Sequence, residues 1–180
     1  MSSLPSVKQG LIQVEETQFK AAVSEYTQQR LGKNINFLLS TICLERQFTM
    51  NRSVKAFLNS TAVDGVFVFP YAASITDIIA YAKSMGTSGF HEFDIKISTA
   101  WNGSSFGAWT SILTTTPKIN YNAPTMTTVR IGDSITNCTA AVMSSNPYNV
   151  NAGDRIRLDV LNVQGGVPLD AAVTIKFIPR

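Results

Sequence analysis

Residues 90–98 alternate apolar and polar positions without a break. His91, Phe93, Ile95 and Ile97 fall on one face; Glu92, Asp94 and Lys96 fall on the other. A period of two with one apolar face marks a half-buried antiparallel strand. The pattern returns at 155–163, where Ile156, Leu158 and Val160 face in while Arg155, Arg157 and Asp159 face out. It returns again at 171–178, with Val173, Ile175 and Phe177 on one face. Residues 65–70, Gly-Val-Phe-Val-Phe-Pro, are short, apolar and closed by proline. Residues 75–84 fit either a long strand or a short helix. A Gly-Thr-Ser-Gly turn follows at 86–89, so we read 75–84 as a strand that forms a hairpin with 90–98. Short strands are expected at 109–113, 118–121 and 127–131, with 133–141 and 144–149 mostly loop. Seven or eight short strands separated by turn signals predict a sandwich or jelly roll.

The first part of the chain has a different rhythm. Residues 1–13 hold Pro5 and Gly10, keep no period and read as an extended leader. Phe19, Val23 and Tyr26 are spaced four and three apart, on one helix face. Glu15 and Glu16 suit the start of that helix, and Arg30 followed by Gly32 suits its end. Asn34 can cap a second helix, where Leu31, Ile35, Leu38 and Ile42 make a short seam that Leu39 widens. Helices this short cannot bury their apolar faces alone. They form either a helical hairpin packed on a core or a small oligomeric stalk. Residues 47–62 read as a connector with one strand near 54–58. The expected organisation is a leader and helical attachment or oligomerisation arm at 1–46, a connector at 47–62 and a β domain at 63–180. The fold class is mainly β: a short helical N-terminal arm followed by an antiparallel, jelly-roll-like β-sandwich.

Composition supports a packed domain. Apolar residues make up 44% of the chain and charged residues only 15%, against roughly 25% in most soluble domains. Ser, Thr and Asn fill the gap, which suits strands, loops and protein–protein contact. The net charge of +3 comes from scattered basic residues. No basic stripe points to nucleic acid. The start has no signal-peptide pattern, and no apolar run is long enough for membrane insertion. Cys43 and Cys138 are too few for a disulfide framework or a structural zinc site, and read as free thiols.

Catalytic chemistry finds little material. His91 is the single histidine, and its position in an alternating strand reads as a partly buried structural side chain. A metal site would need a second histidine, and no Gly-x-Ser-x-Gly elbow or phosphate loop occurs. Asp133, Asp154 and Asp170 lack the dense alternation of a calcium loop. We therefore expect no enzyme, cofactor or metal. Trp101, Trp109 and Tyr148 lie in or near loops. Core or interface anchoring is their simpler reading, with ligand-facing sugar contacts the alternative. The Asn-x-Ser/Thr triplets at Asn51, Asn59, Asn102 and Asn137 would matter only on a secretory route.

Two stretches resemble small virion proteins of tailed bacteriophages, of the head-fibre or capsid-decoration type. The first is 22–39, Ala-Val-Ser-Glu-Tyr-Thr-Gln-Gln-Arg-Leu-Gly-Lys-Asn-Ile-Asn-Phe-Leu-Leu, which is similar to their helical stem. The second is Val-Asp-Gly-Val-Phe-Val-Phe-Pro-Tyr from Val63, followed by the Gly-Thr-Ser-Gly turn, by Ser-Ile-Leu-Thr-Thr-Thr-Pro-Lys-Ile from Ser111, and by Asn-Ala-Gly-Asp-Arg-Ile-Arg-Leu-Asp-Val from Asn151. That order is similar to their C-terminal jelly-roll head. The resemblance runs from about Glu15 onward. It implies a homotrimer that attaches to other virion proteins, capsid or connector, through its N-terminal arm. Phe19, Val23, Tyr26, Leu31, Ile35, Leu38 and Ile42 would make those contacts. It implies a place in the virion after synthesis in the host cytoplasm, and no catalytic residues. A receptor- or glycan-binding adhesin domain of a phage fibre is the alternative.

Overall fold

The first strand begins at Leu44, where inward positions recur every second residue. The structure is a computed structural model and describes residues 43–99 and 107–180. Phe19, Val23, Tyr26, Leu31, Ile35, Leu38 and Ile42 lie outside the described residues, as does Trp101. Within them the strands are β1 (Leu44–Ser53), β2 (Val63–Val68), β3 (Ala73–Ala82), β4 (Phe90–Ser98), β5 (Thr110–Ser111), β6 (Leu113–Thr115) and β7 (Lys118–Asn120). They continue with β8 (Thr127–Arg130), β9 (Cys138–Thr139), β10 (Val142–Met143), β11 (Tyr148–Val150), β12 (Arg155–Asn162) and β13 (Leu169–Pro179). One 3-10 turn, Val54–Phe57, follows β1.

The strands form two antiparallel sheets. One runs β1-β13-β3, with β11 and β8 beside opposite halves of β3. The other runs β2-β12-β4, with β7 and β5 beside opposite halves of β4 and β9 outside β7. A short β10-β6 ribbon completes the set. The inward faces share one apolar cluster. Phe48, Met50, Ile75, Ile78, Val173 and Ile175 come from the first sheet; Phe93, Ile95, Ile156 and Leu158 come from the second. Residues Ile42–Arg180 form one compact unit around this core. Three aromatic rings stitch the sheets together. Phe69 meets Phe67 and Phe177 edge-on, with centroids 5.1 and 5.2 Å apart, and Phe67 lies 5.7 Å from Phe177.

The long alternating strands form where their period places them. Val173, Ile175 and Phe177 are buried on β13, as are Ile156, Leu158 and Val160 on β12. Other expectations change. Residues 47–62 are not a plain connector, because β1 extends to Ser53 and pairs with β13 along its length. Arg46 disguises the alternation. It sits at an inward position between Leu44 and Phe48, lies 4.8 Å from the Phe48 ring, and donates to the Asp64 carbonyl at 2.8 Å. The expected strand at 54–58 is the 3-10 turn. The hairpin between 75–84 and 90–98 does not form either. β3 and β4 belong to different sheets, and residues 86–89 arch across to pair with residues 164–166. Thr87 N–H donates to the Gly165 carbonyl at 2.9 Å, and Gly165 N–H donates to the Ser88 carbonyl at 2.8 Å. A Cβ on Gly86 would collide with the Gly165 carbonyl, so glycine is required at this crossing. Strands β9 and β11 occupy stretches expected to be loop, and β10 falls between them; two or three residues are too few to show a period.

Truncating Phe177 to Ala should remove the ring that joins both sheets. We expect a loss of about 3–5 kcal/mol in urea unfolding, with cooperativity kept. A change near zero would show that the sheets are not tied there.

Candidate functional site

Register divides the domain into two ends. Ser53 pairs with Leu169, Ala82 with Ala171 and Thr127, and Asn162 with Glu92. The loops 54–62, 83–89, 121–126 and 163–168 therefore gather at one end. The chain enters at Cys43 at the other, where Leu44 pairs with Phe177 and Ala73 with Pro179 and Val150. Main-chain hydrogen bonds knit the four loops together. Val54 N–H donates to Pro168 O at 3.1 Å, Tyr121 N–H to Gly89 O at 3.0 Å, and Met126 N–H to Lys83 O at 2.9 Å.

Beneath these loops lies a polar knot. The Gln164 side chain is buried, with its Oε1 accepting from Gly86 N–H and its Nε2 donating to the Ile119 carbonyl at 2.9 Å. Its backbone N–H points to His91 Nδ1 at 3.4 Å. His91 is fully buried rather than partly so, stacks on Phe93, and its Nε2 finds no partner among the described residues. Burial pushes its pKa down to about 4. A sealed, neutral imidazole is poorly placed for general acid–base work.

The outward face of the second sheet carries charges in rows. Asp94 pairs across strands with Asp159, and Lys96 with Arg157. Like charges directly opposite one another repel, and the arrangement is neutralised around Asp159. That carboxylate is only 2% exposed, lies 3.1 Å from Lys96 Nζ, and accepts from Arg157 Nη2 at 3.0 Å and Ala62 N–H at 3.2 Å. Asp94 accepts from the Ser111 hydroxyl at 2.6 Å, while burial pushes its carboxyl pKa up. Sequence alternation finds the face of these residues but not their burial. The signal available was Asp-Ile-Lys on one strand and Arg-Leu-Asp on its neighbour.

The outer face of the first sheet holds an open groove of about 590 Å3, lined by Thr76, Asp77, Arg130, Asp133, Asn146 and Lys176 among others. Its charges pair internally. Arg130 donates twice to Asp77 Oδ2, at 2.7 and 3.1 Å, and Lys176 lies 2.9 Å from Glu45. Of the candidate aromatics, the two described ones, Trp109 and Tyr148, are not brought together. Trp109 covers the Arg157 guanidinium at 4.5 Å on the second sheet, whereas Tyr148 packs half-buried against the core from β11 on the first. Cys43 and Cys138 are free thiols. Among the described residues no group of three or more His, Cys, Asp or Glu side chains could hold a metal, and no helix is long and apolar enough to cross a membrane.

No protein-family model matches the chain, and no curated protein matches it. Among solved structures it is similar to a chain of the T13 IBDV viral particle, whose crystal structure reveals a missing link in the evolution of icosahedral viruses. The two are 8% identical, and the match covers 78% of this chain and 32% of that one at a TM-score of 0.32. This chain thus spans about a third of that neighbour.

Two outcomes are expected. The His91 imidazole stays neutral in the folded protein down to about pH 4, but takes a proton near 6.5 in the unfolded chain. The unfolded state binds more protons between those values, so stability is full above pH 6.5 and falls toward pH 4. The loss attributable to this group is about 3 kcal/mol. Urea unfolding of His91→Phe against the parent isolates it, and equal pH slopes in the two proteins would contradict the assignment. Asp159→Ala should cost about 3 kcal/mol, at the lower end for a broken buried pair because Lys96 keeps contact with water. A loss under about 1 kcal/mol would mean that the charged rows contribute nothing.

Proposed function

We propose that this chain is a non-enzymatic structural component of a bacteriophage virion, a head fibre or capsid decoration protein. In this reading residues 1–42 attach it to another virion protein and gather three copies, and the β unit projects from the particle. The observation that carries the reading is the strand order. Grouping β8 with β11, and β5 with β7, gives one four-stranded sheet and a second of four strands with short β9 at its edge, and successive long strands alternate between them. That interleaving supports reading the sandwich as a jelly roll, an architecture used by viral capsid and lectin domains. It agrees with the resemblance carried by residues 22–39 and by the segments that begin at Val63, Ser111 and Asn151. The sealed His91 and the engaged Asp94 and Asp159 favour scaffolding over catalysis. Trp109 and Tyr148 lie on opposite sheets and lend no support to a shared glycan site.

The test is a deletion. Removing residues 1–46 would cut into β1, so the cut belongs after residue 42. The truncated protein should unfold at the parent's midpoint yet fail to appear on purified particles of the virus that encodes it. Particle occupancy equal to that of the full chain would sink the attachment reading.

A further inference from the structure

We propose that His91 is an acid-sensitive latch, whose protonation opens the crossing of residues 84–89 with residues 163–168 while both sheets stay closed. Three features of the crossing carry this. The first is polarity. His91 Nδ1 accepts from the Gln164 backbone N–H at 3.4 Å, so the neutral ring keeps its proton on Nε2. A second proton would go to Nδ1. Both nitrogens would then be donors, one facing another donor and one facing no acceptor among the described residues. The ring is fully buried, and a sealed charge without hydrogen-bond partners is costly. Admitting water at the crossing hydrates both nitrogens.

The second feature is leverage. Gln164 meets His91 through its backbone, while its side chain accepts from Gly86 N–H and donates to the Ile119 carbonyl at 2.9 Å. Displacing this one residue releases the arch and its hold on β7 together. The main-chain bonds between Thr87, Ser88 and Gly165 lie directly beside it. The third feature is a built-in limit. Ser84 N–H donates to the Leu169 carbonyl at 3.2 Å, Leu169 N–H donates to the Ser84 hydroxyl at 2.7 Å, and Lys83 closes on Asp170 at 3.0 Å. Beyond these clamps β3 pairs with β13 from Ala82 and Ala171 onward. The opening therefore stops at Ser84 and Leu169.

The ionisable groups on the surrounding elements are engaged elsewhere or stay neutral in acid. Glu92 of β4 pairs with Lys118 of β7 at 3.2 Å. Asp94 and Asp159 engage Ser111, Lys96 and Arg157 on the outer face. Cys138 of β9, opposite Ile119, is a thiol that burial makes harder to ionise, and Tyr121 beyond β7 is exposed. Desolvation is the cause that separates a sealed His91, protonated near pH 4, from a hydrated one, protonated near 6.5. Acid between those values favours the open crossing, and closure is fully regained above 6.5. The latch belongs to the β unit and does not depend on the virion reading.

Amide hydrogen exchange of the full chain tests it, compared as protection factors at about pH 7 and about pH 4. Gly86, Thr87 and Gly165 N–H should lose about a hundredfold in protection, since each unit between the two pKa values is about tenfold. Amides of the β3–β13 ladder should hold theirs. His91→Phe, matched to the parent in unfolding midpoint at about pH 7, should abolish the loss. A loss shared by the ladder would mean global unfolding, and an equal loss in His91→Phe would mean another group; either overturns the latch. Should His91→Phe not fold, the parent's own imidazole resonances decide. A ring that stays neutral until the crossing opens supports the latch, and one that titrates near 6.5 beneath a protected crossing overturns it.

Discussion

Successive long strands fall in opposite sheets: β1 precedes β2, β2 precedes β3, β3 precedes β4, and β12 precedes β13. Neither sheet can be completed from one stretch of chain. The apolar face of β13 has no partner until β1 and β3 flank it and β2 and β12 close over it. The ring contacts among Phe67, Phe69 and Phe177 exist only once both sheets are in place. Pairings this distant in sequence make loop closure costly before contacts repay it, and such topologies fold slowly. The same crossings turn four connections into neighbours, and so create an end that no local segment encodes.

The polar interior follows from this closure. Gln164 sits where two arches meet, and its side chain satisfies Gly86 N–H and the Ile119 carbonyl, which would otherwise be buried without partners. Leaving such groups unpaired costs about 1–3 kcal/mol each. His91 is the less satisfied member, since its Nε2 is buried without a partner. The charged rows on the second sheet work differently. Asp159 draws Lys96, Arg157 and Ala62 N–H together, so one carboxylate offsets a repulsion that the pairing of Lys96 with Arg157 creates.

Strands β4, β12 and β13 are readable in the sequence because each keeps period two over eight or more residues. β1 is obscured because Arg46 occupies an inward position, where a charged side chain breaks the apolar count. The Gly-Thr-Ser-Gly signal marks a reversal, but a reversal alone does not distinguish a hairpin from an arch between sheets. That distinction depends on Gly165, seventy-nine residues beyond Gly86 in the sequence. Trp109 is recognisable as an anchor only when Arg157 is placed beneath it. The four-loop end shows locally as four unremarkable loops. Its shared apolar, amide and hydroxyl character emerges only when the register superimposes them.

The pairing of β1 with β13 also has a mechanical side. Leu44 lies at the end where the chain enters, and Ser53 lies against Leu169 at the four-loop end. A pull on the chain at Cys43, resisted at the four-loop end, runs along the axis of β1. The ladder to β13 is then loaded in shear, with its rungs sharing the force instead of opening in turn. Placing β1 beside β13 thus gives the domain a high resistance to being unravelled by a pull at Cys43.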